Sequence, residues 1–339
     1  GQGAIYAHYA IVFAQLYIGS ICYGVHPFIV QLRNENKECM KNVIIKDCGM
    51  KNGLNGVDNG EIIFDNVIIP YNNLLDKFAH IDDTGKYVAV KGRLSKMLSE
   101  LSKNRLGMGL GSNIVSRYAL KETLTYAIKR KQFGKIERSL LSYKSYQHRI
   151  MPLLAKSYVN NLFNEYAINH LDDMSITHFN SIISKTACSW NALDTLQECR
   201  EGCGGHGYHY KSYFGKMYKN LDIYTTFEGD NNVLLQQIMQ FKLKEYKKSF
   251  GKMQYLHYKM RKYLNYFNYF IPNIIGAVYD DFNIHSFLKY LNYRINYKII
   301  SILLLLDENQ KKNMNMEDVW NSIQYSITEL SKLISFYNR

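Results

Sequence analysis

The segment Thr225-Thr226-Phe227-Glu228-Gly229-Asp230 places two carboxylates two residues apart, between the β-prone run Ile223–Phe227 and a helix beginning near Asn231. A carboxylate just before a helix is ordinarily its cap, and Asp230 is the better placed of the two for that task. Glu228 instead lies between an aromatic residue and a glycine, where a ligand could fit closely. Desolvation at such a place raises a carboxyl pKa towards neutrality, as a general base requires.

Gly204-Gly205-His206-Gly207 is the densest glycine cluster. It follows a helical stretch whose last turn is Leu196–Gly202 rather than a strand, so it is not a dinucleotide-binding fingerprint of the Rossmann kind. A glycine stop is what helix capping asks for; the other reading is that bare N–H groups here approach a pyrophosphate. His206 reads as a hydrogen-bonded structural histidine. Arg130-Lys131-Gln132-Phe133-Gly134 ends the helix Ser112–Lys129 at a glycine. Its basic residues either complement the helix dipole, or Arg130 forks onto phosphate oxygens while Phe133 packs on a cofactor ring. Gly107, Gly109 and Gly111 alternate inside a helical pattern and read as close helix packing.

Metal chemistry finds no support. The histidines lack ligand spacing, and the six cysteines form no Cys-x-x-Cys pair. Cys199 and Cys203, four apart, share a helix face as structural thiols of a reducing compartment. No nucleophile elbow or phosphate-binding loop is present.

These residues must be positioned by two regions of different period. Up to about Val90 the chain reads as β, with the runs Ile11-Val12-Phe13, Phe28-Ile29-Val30, Val43-Ile44-Ile45 and Ile62-Ile63-Phe64. Turn signals stand at Asn34-Glu35-Asn36, Asp58-Asn59-Gly60 and Asp83-Thr84-Gly85, which predicts a small antiparallel sheet or barrel. From about Leu94 the period becomes helical. One stripe holds Ile150, Leu153, Leu154, Tyr158 and Leu162, and the next holds Phe179, Ile182, Ile183, Trp190, Leu193 and Leu196. A third runs through Val319, Trp320, Ile323, Ile327, Leu330 and Ile334. Packed on these stripes, the helices make an antiparallel bundle. The chain opens with Gly1 directly in strand-like sequence, as a piece of a longer protein would.

Composition narrows the class. Hydrophobic residues make up 47% and charged residues 21% of the 339, which is globular material. The formal charge of +13 suits a solvated surface or attraction to a phosphate-bearing molecule, and its even spread argues against nucleic acid. The longest apolar run, Ile299–Leu306, is too short to span a membrane and reads as a buried helix.

In order along the chain, these pieces resemble one family. Cys199-Arg200-Glu201-Gly202-Cys203-Gly204-Gly205-His206-Gly207-Tyr208 and Thr226-Phe227-Glu228-Gly229-Asp230-Asn231 resemble the signature segments of acyl-CoA oxidases. Gly53–Gly60, Phe64-Asp65-Asn66-Val67, Ile69-Pro70 and Gly24-Val25-His26 are similar to their sheet domain, with the plant-type medium-chain oxidases nearest. The resemblance is close to about Tyr246 and weak beyond. It implies an α+β fold of the acyl-CoA dehydrogenase kind. A sheet or barrel domain would span 1–92, a central helical bundle 93–247, and part of a C-terminal helical domain 248–339. It implies FAD as cofactor, fatty acyl-CoA and dioxygen as substrates, a homodimer and a peroxisomal address, though the chain ends without a targeting signal of the Ser-Lys-Leu type.

Residue by residue, the resemblance makes Glu228 the base that removes the α-proton, and Arg130, Phe133 and Gly134 an FAD contact across the dimer interface. Gly204 and Gly205 would pass near the pyrophosphate, Gly1 near the flavin, and Arg105 near the coenzyme A part. Lys144 departs from the Gln of many relatives, and the first helical domain with its Thr-Glu flavin support is not in this sequence. Three other readings compete: a dehydrogenase passing electrons to a flavoprotein, a non-catalytic remnant acting as a scaffold, and a basic nucleic-acid binder.

Overall fold

A computed structural model describes residues 6–93, 96–97, 102–172, 174–238 and 241. Gly1, the apolar run Ile299–Leu306, the stripe from Val319 to Ile334 and the region 248–339 lie outside the described residues.

The four β-branched runs are strands as expected. β1 (Tyr9–Ile18) pairs antiparallel with β2 (Ile21–Gln31), with a bulge between Gln15 and Tyr17. β3 (Val43–Asp47) pairs with β4 (Gly60–Phe64), and the short β5 (Ala79–Ile81) with β6 (Tyr87–Ala89). These remain separate two-stranded ribbons, and no closed barrel forms among the described residues. Side chains knit them together instead. The buried His26 ring on β2 meets Gly24 O through Nδ1 (2.8 Å) and Tyr87 OH of β6 through Nε2 (3.0 Å). Arg93 donates to Val25 O (2.6 Å), and Asn73 to Ile29 O (2.8 Å).

One predicted turn is displaced. Asp58-Asn59-Gly60 is not the turn: Gly60 opens β4 opposite Asp47, and Cys48 N already donates to Asn59 O. The reversal happens earlier, where Leu54 takes a positive φ of 50°, Val57 N reaches Leu54 O, and Asn55 Oδ1 accepts from Lys51 N. The Asn55 side chain thus fixes the reversal locally. By contrast Asp83-Thr84-Gly85 turns as read, with Asp82 Oδ1 accepting from Thr84 N and Lys86 N.

Three long helices carry the rest: α1 (Ser102–Lys129), α2 (Lys144–Ile168) and α3 (Met174–Gly202). Between the first two, β7 (Lys131–Gln132) pairs with β8 (Arg138–Ser139). After α3 come the short α4 (Gly204–Tyr208) and α5 (Phe214–Asp222). Helix α1 thus begins a good deal before Ser112. Its start was obscured because Gly107, Gly109 and Gly111 carry no apolar side chain to mark a stripe. The core gathers Leu120 from α1, Ile150 and Leu153 from α2, Leu196 and Cys199 from α3, and Phe214 and Leu221 from α5. The Cys199 thiol is fully buried, and that burial pushes its pKa up to about 11, so it is an inert packing group.

The α2 stripe needs correction. Ile150 and Leu153 face the core, but Leu154, Tyr158 and Leu162 are exposed. The inward face continues through Ser157, Asn160, Phe163, Asn164 and Ala167. The neighbouring helices answer in kind. Ser157 Oγ lies 3.1 Å from Asn113 Oδ1, and Ser184 Oγ donates to Asn164 Oδ1 at 2.6 Å. Helix α3 is central, with every residue from Ser181 to Ser189 buried. α1 approaches it closely where Gly109 meets Ser184. A Cβ on Gly109 would collide with Ser184 Oγ and lie 2.8 Å from the Ser184 carbonyl carbon.

The ribbons dock on the bundle through another bare glycine. A Cβ on Gly53 would run into the Lys219 carbonyl on α5, and Leu54 N donates to Asn220 Oδ1 at 2.9 Å.

Candidate active site

The β-prone run Ile223–Phe227 is not a strand. α5 ends at Asp222, a 3₁₀ turn spans Ile223–Thr225, and the chain turns again through Phe227 and Glu228 before a helix starts at 231. Thr225 and Thr226 explain the outcome, because their hydroxyls donate back to Asp222 O (2.9 Å) and Ile223 O (3.1 Å) and hold the backbone curled. The Phe227 ring packs on Tyr224 at 4.9 Å between centroids. Asp230 caps the new helix, accepting from Asn232 N (2.9 Å) and Val233 N (3.3 Å) through Oδ1. Asp230→Ala should therefore lower stability by about 1 kcal/mol, read as a lower urea midpoint with unchanged slope.

With the cap assigned to Asp230, Glu228 has no such duty. Among the described residues, no hydrogen bond or ion pair engages its half-buried carboxylate. Its backbone is held tightly instead. Glu228 has φ +57° and Gly229 φ +106°. The Glu228 carbonyl accepts from Arg105 Nε of α1 at 2.8 Å, and the Gly229 carbonyl accepts from Lys185 Nζ of α3 at 2.5 Å. Lys185 also reaches Asn231 Oδ1 at 2.7 Å, and Asn231 Nδ2 donates to Ser189 Oγ at 3.0 Å.

Both cations are buried, Lys185 completely and Arg105 to 5% exposure. Burial lowers the Lys185 pKa to about 8, helped by the Arg105 charge and opposed by Asp230 and Glu228. The unfolded chain keeps that proton to higher pH, so stability tied to this group rises as pH climbs from about 8 towards 10.5. Arg105 is likewise lowered by burial, against the attraction of Glu228. His178 is lowered by burial and by the Arg105 charge; its Nδ1 lies 3.0 Å from Ser102 Oγ.

The other predicted residues gather at the far end of α1. From Arg105 to Lys129 the helix rises roughly 36 Å at about 1.5 Å per residue. There Arg130 is exposed at the foot of the β7–β8 hairpin, whose tip is made by Phe133 (φ +67°) and Gly134 (φ +83°). The Phe133 ring stands 67% exposed, edge-on to Tyr143 at 6.0 Å. Tyr143 OH in turn donates to Gln132 O at 2.7 Å and braces the hairpin. Gly204 and Gly205 lie at the same end, because His206 stacks on Tyr126 of α1 with centroids 4.9 Å apart. His206 is thus a structural histidine, held by ring stacking.

Gly204 needs its glycine for a φ of +56°, but a Cβ at Gly205 would meet no atom within 4 Å. Nothing among the described residues demands a bare backbone at 205. An exposed guanidinium, an exposed aromatic ring and an open backbone at one end of a bundle suit a flat, phosphate-bearing molecule such as FAD. The chain therefore brings Arg130, Phe133, Gly134, Gly204 and Gly205 together, and sets Glu228 with Arg105 apart from them. Lys185, Ser189 and Asn231 were missed by sequence reasoning. The available signal was a lysine at helical spacing from Ile182 and Ser189 on a face otherwise read as core. No group of three or more metal-ligating side chains occurs among the described residues. No described helix is long and apolar enough to cross a membrane.

Comparison with known proteins adds the context. Residues 98–243 match the family described as acyl-CoA oxidase, C-alpha1 domain. Peroxisomal acyl-coenzyme A oxidase 2 of Arabidopsis thaliana is 36% identical over 309 residues, covering 83% of this chain and 44% of that protein. An acyl-coenzyme A oxidase-like protein of Mus musculus is 30% identical, covering 97% of this chain and 55% of that protein. Among solved structures, acyl-CoA oxidase 3 from Yarrowia lipolytica superposes with a TM-score of 0.78 at 24% identity, over 99% of this chain and 52% of that one. Acyl-CoA oxidase-2 of Caenorhabditis elegans, solved with FAD, ascaroside-CoA and ATP, gives 0.80 at 23% identity, over 98% and 52%. The chain spans about half the length of the curated relatives it matches, 44% and 55% of the two named above.

Proposed function

Residues 98–243 belong to the acyl-CoA oxidase C-alpha1 family, and from that premise we propose that the protein oxidises fatty acyl-CoA at its α,β bond. Acyl-CoA and dioxygen become trans-2-enoyl-CoA and hydrogen peroxide, the opening step of fatty acid β-oxidation. When bound, FAD would supply the acceptor for the β-hydride and the route by which the electron pair reaches dioxygen. The Glu228 carboxylate takes the α-proton. The observation that carries this reading is the division of labour at the turn: Asp230 does the capping, and the Glu228 carboxylate is left unengaged among the described residues on a backbone fixed from two sides.

The separation of roughly 36 Å along α1 bears on assembly. One copy's Glu228 and the same copy's Arg130, Phe133 and Gly134 are too far apart to share one flavin. A homodimer, in which the Phe133 hairpin of one protomer meets the flavin beside the Glu228 of the other, resolves this and accounts for the exposed Phe133 ring. In this reading Gly204 and Gly205 let the pyrophosphate approach, Arg105 lies on the coenzyme A side of Glu228, and Gly1 comes close to the flavin. The sheet domain occupies 1–92, the central bundle 93–247 and part of the C-terminal helical domain 248–339. A peroxisomal setting follows from the names of the relatives.

The test is to add FAD to this chain and to a full-length form, and to titrate each with a saturated acyl-CoA in air. Flavin bleaching with hydrogen peroxide release is the expected result for the full-length form. Bleaching without oxygen uptake would instead assign a dehydrogenase, and a full-length form that binds no flavin would leave only a scaffold.

A further inference from the structure

Glu228 sits in a backbone conformation that residues with a side chain rarely adopt, and a neighbouring glycine extends the departure. Such a conformation persists only where the surroundings over-determine it. Here the two consecutive carbonyl oxygens that follow Glu228 and Gly229 are taken by side chains from two different helices, Arg105 of α1 and Lys185 of α3. Lys185 does more than fill a hydrogen bond. Through Asn231 Oδ1 it ties the first residue of the next helix, and Ser189, one turn further along α3, holds the other end of the same amide. A single face of α3 therefore grips the chain on the far side of Gly229.

A lysine with no exposed surface is costly to keep, and an apolar residue of like length would pack there without that cost. The groups facing it are Asp230, Glu228 and Arg105, with His178 of the same helix beside Arg105. Lys185 Nζ donates to Gly229 O and to the Asn231 amide oxygen. Its position is explained by what it holds.

We propose that Lys185 is a positioning residue for the catalytic carboxylate, which it aims by holding the Gly229 carbonyl and the Asn231 amide. This rests on the reading of Glu228 as the base.

Lys185→Met keeps the length and removes every donor. In the full-length FAD-loaded protein kcat should fall by up to roughly 10²-fold with KM little changed, the cost of a misplaced group rather than a lost binding contact. In the flavin-free chain, amide exchange across 227–232 should rise by about 10-fold or more while α1 keeps its protection. Unchanged exchange and unchanged kcat would overturn the proposal. Should Lys185→Met not fold, Asn231→Ala decides: it removes one of the two groups that Lys185 holds, so exchange across 227–232 must rise relative to α1, and no rise overturns the proposal. Glu228→Gln separates the two readings. If that variant stays active while Lys185→Met loosens the turn, the base is elsewhere and the clamp stands. If Glu228→Gln is inactive and Lys185→Met is not, the clamp falls alone.

Discussion

Glu228→Gln should reduce peroxide formation from a saturated acyl-CoA by roughly 10²–10⁴-fold, the usual contribution of a positioned proton acceptor. The substitution is close to isosteric and removes only the ability to take a proton. It should leave the fold intact, because the bonds that fix the turn run to the backbone carbonyl oxygens of Glu228 and Gly229. The cap is also spared, since Asp230 supplies it. Flavin binding should persist, because the near-isosteric change alters none of Gly204, Gly205, Arg130 and Phe133. The measurement is single-turnover flavin reduction beside a thermal melt. Slow reduction with an unchanged melt assigns the proton transfer to this carboxylate. Rapid reduction would place the base elsewhere.

The second large effect is on folding, and two glycines of one helix decide it. Gly109→Ala should cost roughly 2–3 kcal/mol, near the upper end of what overpacking does, whereas Gly107→Ala should gain up to about 1 kcal/mol. The same methyl group has opposite consequences two residues apart. At Gly107 a Cβ meets nothing within 4 Å among the described residues, so only the better helix propensity of alanine remains. At Gly109 it strikes Ser184, whose hydroxyl is committed to Asn164 at 2.6 Å. Turning that hydroxyl away would leave a buried acceptor short of a partner, and the backbone carbon behind it, 2.8 Å from the added Cβ, cannot move without separating α1 from α3. Urea unfolding of the two variants gives the comparison directly. Equal midpoints would mean that the helices part more easily than this contact implies.

How much could be read beforehand depends on where the free energy lies. The strands at Ile11–Phe13, Phe28–Val30, Val43–Ile45 and Ile62–Phe64 were legible because β-branched and aromatic residues declare them locally. Asp230 as cap and the glycine stop after α3 were legible for similar reasons: each is a local choice of residue for a local backbone need. The inward face of α2 was not. Its middle is Ser157, Asn160 and Asn164, so hydrophobicity pointed to Leu154, Tyr158 and Leu162, which face out. The β-branched run at Ile223–Phe227 also misled, because hydroxyl bonds from Thr225 and Thr226 favoured a curl over extension. Lys185 was invisible for a different reason. Charged residues belong outside by default, and only the three-dimensional path of Glu228–Asn231 supplies acceptors for its ammonium. That the predicted site residues divide between the two ends of α1 is likewise a property of the assembled helices, which no local pattern encodes.

The outward face of α2, with Leu154, Tyr158, Leu162 and Tyr166, bears on how copies of this chain behave towards one another in solution. A formal charge of +13 pushes them apart at low ionic strength. At about 0.1 M salt the reach of that repulsion shrinks to about 10 Å, and the apolar face is then free to find another like it. Copies of the chain should therefore associate more readily as electrolyte is added than in dilute buffer, with every internal hydrogen bond unchanged.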